Sequence, residues 1–177
     1  MYPYLRLMKE YLRMRGTPPL HPFDTHVSHH LCWPWDIDPW MELNNGRTLT
    51  LYDLGRIPMA ARLGLDKVVR ARGWGLAVAG ASVRYRRRVR VFDRIEMRSR
   101  LVGWDARFVY MDQSMWVKGE CCSQALIRSA ITQGKRGIVP PSEMAQALGL
   151  APQSPALPAW VQAWIAADAE RPWPPQG

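Results

Sequence analysis

The stretch Trp35-Asp-Ile-Asp-Pro-Trp-Met-Glu-Leu-Asn-Asn-Gly-Arg-Thr-Leu-Thr-Leu-Tyr-Asp-Leu-Gly-Arg56 sets acids and amides (Asp36, Asp38, Glu42, Asn44 and Asn45) directly before apolar residues at helical spacing. Leu49, Tyr52, Leu54, Ile57, Ala60, Ala61 and Leu63 recur every three or four positions, which predicts a helix from about Asn45 to Leu63. A polar loop therefore feeds a buried helix. Asn44 or Asn45 suits the N-cap, where a side-chain oxygen takes one of the unpaired N–H groups of the first turn. The same junction suits chemistry. Those N–H groups carry partial positive charge that polarises a carbonyl, and a nearby carboxylate acts as base or nucleophile. On residue types alone, capping and turn formation are the simpler reading. Pro58 interrupts the helix by removing one backbone hydrogen bond, and Gly64 suits its C-terminal cap.

Upstream, Tyr4, Leu5, Met8, Tyr11 and Leu12 make residues 1–15 an amphipathic helix with Arg6, Lys9, Arg13 and Arg15 on its other side. Docking on its own domain is the commoner fate of such a helix, and contact with an anionic membrane surface is the alternative. Thr25 to Cys32 reads as a first strand, and it holds His26, His29 and His30. Adjacent His29 and His30 face oppositely and no acid completes a ligand set, so a structural or solvent-facing role is expected and no metal.

Downstream, a short helix is expected between Leu65 and Gly75, and then the pattern turns from helical to alternating. Strands are predicted over Leu76–Arg86, Asp93–Val102, Arg107–Val117 and Cys121–Thr132, joined by short turns that imply an antiparallel sheet. Apolar residues on both faces of the third of these mark a central strand covered on each side. The Ala/Gly run from Ala77 to Ala81 implies a backbone that another group approaches closely. A helix capped by Ser142 and another over Ala159–Ala169 follow, and the Pro-rich end from Arg171 reads as a mobile tail. The organisation expected is an N-terminal arm (1–21), one α+β domain (22–150) and a C-terminal extension (151–177).

At 177 residues the chain has the length for one such domain with a substantial core. No apolar run spans a bilayer, charges interrupt the N-terminus before a secretory core develops, and three cysteines suggest no disulfide framework, so a cytoplasmic location is expected. The net charge of +9 is concentrated in Arg84-Tyr-Arg-Arg-Arg-Val-Arg90. With Tyr85 the one aromatic interleaved and no recognition motif, nucleic acid is not the expected partner, whereas a phosphate-bearing small ligand is.

Asp36-Ile-Asp38, Asn44-Asn45-Gly-Arg47-Thr-Leu49 and Asp53-Leu-Gly-Arg56, in that order, resemble the signature of 4-hydroxybenzoyl-CoA-thioesterase-like hotdog proteins. Val83-Arg-Tyr-Arg-Arg-Arg, Phe92-Asp-Arg-Ile and Ile138-Val-Pro-Pro-Ser-Glu resemble later segments of that family, and the run of Asn44 to Leu49 is most similar to its thioesterase-superfamily-member-six branch. The resemblance implies a hotdog fold, an antiparallel sheet wrapped around one long helix. It also implies an acyl-CoA thioesterase working as a homodimer or dimer of dimers, with coenzyme A as part of the substrate and no further cofactor. By the same resemblance Asp38 is the catalytic carboxylate and amides near Asn45 to Thr48 polarise the thioester carbonyl. Trp40, Glu42, Asn44, Asn45, Thr48 and Tyr52 then bind substrate, with the acyl chain near Trp40 and Tyr52, and Arg86, Arg87 and Arg88 either meet the coenzyme A phosphates or, as the equal alternative, form a solvated strand edge that discourages aggregation. The chain departs from the family at Glu42, where a histidine is usual, and at Thr48, where a tyrosine is usual. A carboxylate at position 42 does not donate a hydrogen bond unless protonated. The second expectation is therefore a catalytically weak hotdog protein that binds acyl-CoA or another acyl ligand.

Overall fold

The computed structural model describes residues 2–175; the last two residues of the expected tail, and Met1 of the arm, lie outside them. Helix α1 (Tyr4–Met14) precedes strand β1 (His26–Leu31), and a short 3-10 turn over Pro34–Asp36 leads through the acidic loop into α2 (Asn45–Arg62). Helix α3 (Leu65–Arg72) follows, then β2 (Gly75–Tyr85), β3 (Arg94–Trp104), β4 (Phe108–Val117), β5 (Glu120–Gln133) and the short β6 (Gly137–Val139). Helices α4 (Pro141–Ala147) and α5 (Ala159–Ala169) complete the chain.

The strands form one antiparallel sheet in the order β1-β3-β4-β5-β2, with β6 on β5. Its concave face wraps α2, the hotdog arrangement, because the strands alternate. Val109, Met111, Met115 and Val117 of β4, with Ile127 and Ile131 of β5, meet Leu51, Leu54 and Met59 of α2 in one core. Gly55 is where helix and sheet come closest: a Cβ there would stand 2.7 Å from both Met97 Sδ and Ser99 Oγ. Pro58 is accommodated inside α2 without ending it, and Gly64, at φ +77°, turns the chain into α3.

The opposite face of β4 and β5 is covered as well. Tyr110 and Leu126 pack against Val161 of α5, with Trp164 alongside. Arg128 of β5 pairs with Asp168 at 2.7 Å while lying over the rings of Phe108 and Trp164. The group that approaches the small residues of β2 is therefore α5: a Cβ on Gly80 would meet Arg128 and Trp164 at 3.2–3.3 Å. One boundary differs from expectation. Ser142 does not cap α4. It sits inside the helix, whose first residue is Pro141, a residue whose fixed φ and missing N–H suit the first helical position.

On β1, His26 and His30 share the buried face and His29 is exposed. His30 Nε2 lies 2.9 Å from Ser28 Oγ, and His26 Nδ1 lies 3.1 Å from Arg62 Nη1. Burial holds both imidazoles below their ordinary range, His26 at about 4 with Arg62 adding to the effect and His30 at about 3 with Lys9 adding to it.

Candidate functional site

The loop between β1 and α2 is built on two aspartates with different surroundings. Asp36 is fully buried. Its Oδ1 accepts from Arg47 Nε at 3.0 Å and Nη2 at 2.8 Å, and its Oδ2 accepts from Arg6 Nη1 at 2.7 Å and Trp33 N at 3.1 Å. Burial pushes this carboxyl up, but the Arg47, Trp33 and Arg6 bonds together outweigh it and hold the group below its usual value. Asp36 thus ties α1, the loop and α2 together.

Asp38, two residues on, is half-buried and shapes the loop itself. Its Oδ1 accepts from Trp40 N at 2.9 Å and Glu42 N at 3.4 Å, and its backbone closes the turn through Asp38 N to Glu42 O and Met41 N to Asp38 O. These bonds hold Met41 at φ +60°, a left-handed conformation uncommon outside glycine. No described residue donates to Asp38 Oδ2.

Asn44 is the N-cap of α2: its Oδ1 accepts from Gly46 N at 2.9 Å and Arg47 N at 3.2 Å. Thr48 N donates to Asn44 O, so among the amides expected to polarise a carbonyl only Asn45 N–H has no partner among the described residues. The capping reading of Asn44 holds, and it removes most of the expected amide cradle.

Beside this helix start lies a cleft of about 330 Å³ lined by Glu42, Asn45 and Thr48 together with Tyr85, Arg86, Arg87, Arg88 and Ser123. The arginine stretch is fixed through its backbone, since Arg86 N and Arg87 N both donate to Cys122 O, while all three side chains stay exposed. Arg88 Nε lies 2.9 Å from Glu42 Oε2, so Glu42 faces the arginines. Burial raises the Tyr85 phenol, with the adjacent Thr48 hydroxyl acting in the opposite direction.

Two expected substrate contacts sit elsewhere. Trp40 projects into solvent, 74% exposed, because the Asp38 turn carries it away from the helix. Tyr52 is fully buried in the core, and its hydroxyl bonds Ser123 Oγ at 2.9 Å, behind the cleft. Burial raises its phenol far above the ordinary value, so it remains protonated. Asp38 lines the loop behind the cleft wall without lining the cleft.

A second, apolar cavity of about 470 Å³ runs along the later half of α2, between α3 and the sheet, with Leu76 and Val78 of β2 and Tyr11 of α1 at its wall. Sequence reasoning had no signal for it, since its lining comes from helices and strands far apart in the chain. Asp53 and Arg56 form an ion pair on its wall, and Arg56 Nη1 also donates to Gln113 Oε1 at 3.0 Å. Gln113 in turn donates to Tyr52 O and Ser99 Oγ, which locks α2 onto β3 and β4.

This architecture has relatives. The structure is similar to that of the YbaW probable thioesterase from Escherichia coli, with a TM-score of 0.65 at 17% identity over 70% of this chain and 96% of that one. It is similar also to a 1,4-dihydroxy-2-naphthoyl-CoA thioesterase from Synechocystis, with a TM-score of 0.61 at 13% identity over 71% and 96% of the two chains. In sequence it is 33% identical over 88 residues to the protein THEM6 of Xenopus laevis, covering 50% of this chain and 42% of that protein, and 33% identical over 91 residues to its Drosophila melanogaster counterpart, covering 51% and 47%. The matched part thus spans less than half the length of these two relatives. The profile of the thioesterase-like superfamily matches residues 32–165, from just after β1 through the acidic loop, the wrapped helix and strands β2 to β6 into α5, and the chain belongs to that superfamily.

Proposed function

We propose that the chain is an acyl-CoA thioesterase in which the cleft at the start of α2 receives the coenzyme A end of the substrate and Asp38 acts on the thioester. The observation that carries this reading is the convergence in one cleft of Glu42, Asn45 and Thr48 with Arg86, Arg87 and Arg88. Guanidinium groups at an exposed rim suit phosphates, and the loop that carries Asp38 is held rigid beside them. In this reading Asp38 takes a proton from water as the water oxygen bonds to the thioester carbon. The carbonyl oxygen, now negative, is met by Asn45 N–H. The C–S bond then breaks, and the departing thiolate takes the proton back from Asp38.

The acyl chain needs an apolar receptacle, and no described residue lines both the cleft and the apolar cavity. A homodimer resolves this. Strand β2 is the free edge of the sheet; the cleft lies at its end, at Tyr85, and the cavity opens at its start, at Leu76 and Val78. Antiparallel pairing of two copies of β2 brings the end of one strand to the start of the other, and so the cleft of one subunit to the cavity of its partner.

The test is hydrolysis of a panel of aliphatic and aromatic acyl-CoAs. The wild type is expected to turn over at least one, and Asp38→Asn to lower kcat by about a hundred-fold or more. Equal rates in the two proteins would remove Asp38 as the catalyst. A second reading, a binding protein with little turnover, is favoured by Asp38 spending one oxygen on its own loop and by Glu42 pairing with Arg88. Saturable acyl-CoA binding by the wild type without hydrolysis would establish it.

A further inference from the structure

Helix α1 is docked the opposite way round from an ordinary amphipathic helix. Its polar side, together with Leu7, faces the protein. Arg6 reaches Asp36 and Leu31 O, and Lys9 donates to His29 O, so these side chains satisfy the open carbonyl edge of β1. Glu10, the one acid of the helix, is 4% exposed and lies 2.9 Å from Lys9 Nζ. The apolar stripe points outward instead: Leu5 is 78% exposed, Met8 54% and Leu12 52%, with Tyr4 and Tyr11 beside them. These positions recur at three- and four-residue intervals and form one continuous band along the helix.

We propose that α1 is a peripheral membrane-docking element that seats the protein on an anionic lipid surface. An outward apolar band fits equally an apolar protein partner, but the charge around it selects the lipid. Glu10 is buried beneath Lys9 and Arg13, which pair with it at 2.9 and 3.9 Å yet keep 42% and 58% of their side chains exposed, and Arg15 follows immediately at the helix end, so the helix charge that reaches the surface is cationic. On the adjoining flank, burial raises the Tyr11 phenol, Asp66 of α3 adds to it and Arg70 opposes it, so that flank carries one charge of each sign. An apolar band flanked by lysine and arginine is the pattern by which helices lie in the headgroup region with the band among acyl chains and the cations at the phosphates. Docking through the polar side also resolves the energetics of such a helix: it need not leave its domain to expose the band. The band adjoins the apolar cavity, because Tyr11 belongs to both. A protein resting on α1 therefore holds that cavity close to the lipid surface.

The experiment is co-sedimentation of the full chain with vesicles of phosphatidylcholine alone and of phosphatidylcholine containing about a third phosphatidylglycerol, the anionic fraction being chosen to give a strongly negative surface. Wild type is expected to pellet with the anionic vesicles and to remain largely in solution with the neutral ones. The triple variant Leu5→Ser, Met8→Ser, Leu12→Ser changes only exposed side chains and is expected to lose the pelleted fraction while keeping its circular dichroism spectrum and thermal midpoint. Arg13→Glu with Arg15→Glu is expected to lower partition by roughly ten-fold. Wild type left in solution with anionic vesicles overturns the proposal, as does a triple variant that pellets equally. Self-association of wild type without vesicles that the triple variant abolishes also overturns it, by assigning the band to a second copy.

Discussion

Asp36 is closed off from solvent and bonded by two arginines and a backbone amide, whereas Asp38 Oδ2, near the cleft, has no donor among the described residues. Burial with full partnership is the environment of a structural carboxylate, and a half-exposed, half-used carboxylate is what proton transfer requires. Asp36→Asn is therefore expected to lower unfolding stability by about 3 kcal/mol in urea titration, because it leaves Arg6 and Arg47 partly buried without their anion. Glu42→Gln should act differently. It releases Arg88 from its 2.9 Å partner, and if the cleft holds coenzyme A it lowers KM with little change in stability, read from steady-state kinetics on the best acyl-CoA. Gly55→Ala is expected to cost about 1–3 kcal/mol, since its Cβ would collide with Met97 and Ser99 where α2 meets the sheet. Neither the identity of the buried aspartate nor the pairing of Glu42 is legible in the local sequence, where both aspartates look alike and Glu42 has several arginines to choose from.

At the scale of elements, α1 and α5 owe their places to the surfaces they meet more than to their own periodicity. The N-cap of α2 is a local matter and was readable: Asn44 precedes the apolar stripe and takes two amides. Asn44→Ala should cost about 1 kcal/mol of stability and lower the melting midpoint, measured by thermal denaturation. The orientation of α1 was not readable. Its strong amphipathic pattern predicts docking through the apolar side, yet the open edge of β1 and the buried Asp36 draw its cations inward. Helix α5 shows the reverse case, a segment whose role depends on a surface supplied elsewhere. The outward residues Tyr110 and Leu126 of the central strands need cover, and Val161 supplies it.

Across the whole molecule, acid should unfold this protein along a slope set by two buried histidines. His26 and His30 titrate at about 4 and about 3 when folded, below the ordinary value near 6.5 that they regain on unfolding. The unfolded chain therefore binds the extra protons, so their contribution is complete above about pH 6.5 and declines as pH falls toward the folded values. Each contributes roughly 1.4 kcal/mol per pH unit within that window. For His30 the nearby cations Lys9, Arg6 and Arg13 act in the same direction as burial. Asp36, held low when folded, adds its own loss only as pH drops below about 4. Urea midpoints measured from pH 7 to pH 4 should fall steadily, and His30→Asn should flatten the curve. At the same scale, the proposed dimer predicts that Ala81→Lys on the exposed edge β2 yields a monomer by analytical ultracentrifugation and lowers acyl-CoA hydrolysis at least about ten-fold.

What the sequence determined by itself is whatever depends on neighbours along the chain. The polar loop, the helix that follows Asn44, the alternation of the later strands and the order of these elements all follow from spacings of two, three and four residues, and the short turns between strands imply an antiparallel sheet; that the sheet wraps the helix is what the family resemblance adds. What only the tertiary structure decided depends on residues that meet across the sheet. It chose Asp36 over Asp38 for burial, sent Trp40 outward and Tyr52 into the core, brought Arg86–Arg88 to the start of α2, opened an apolar cavity beneath α3, and turned the apolar side of α1 to the surface. Periodicity states which residues share a face. It does not state which other face they will meet, because burial, ion pairing and cavity shape are properties of two surfaces brought together.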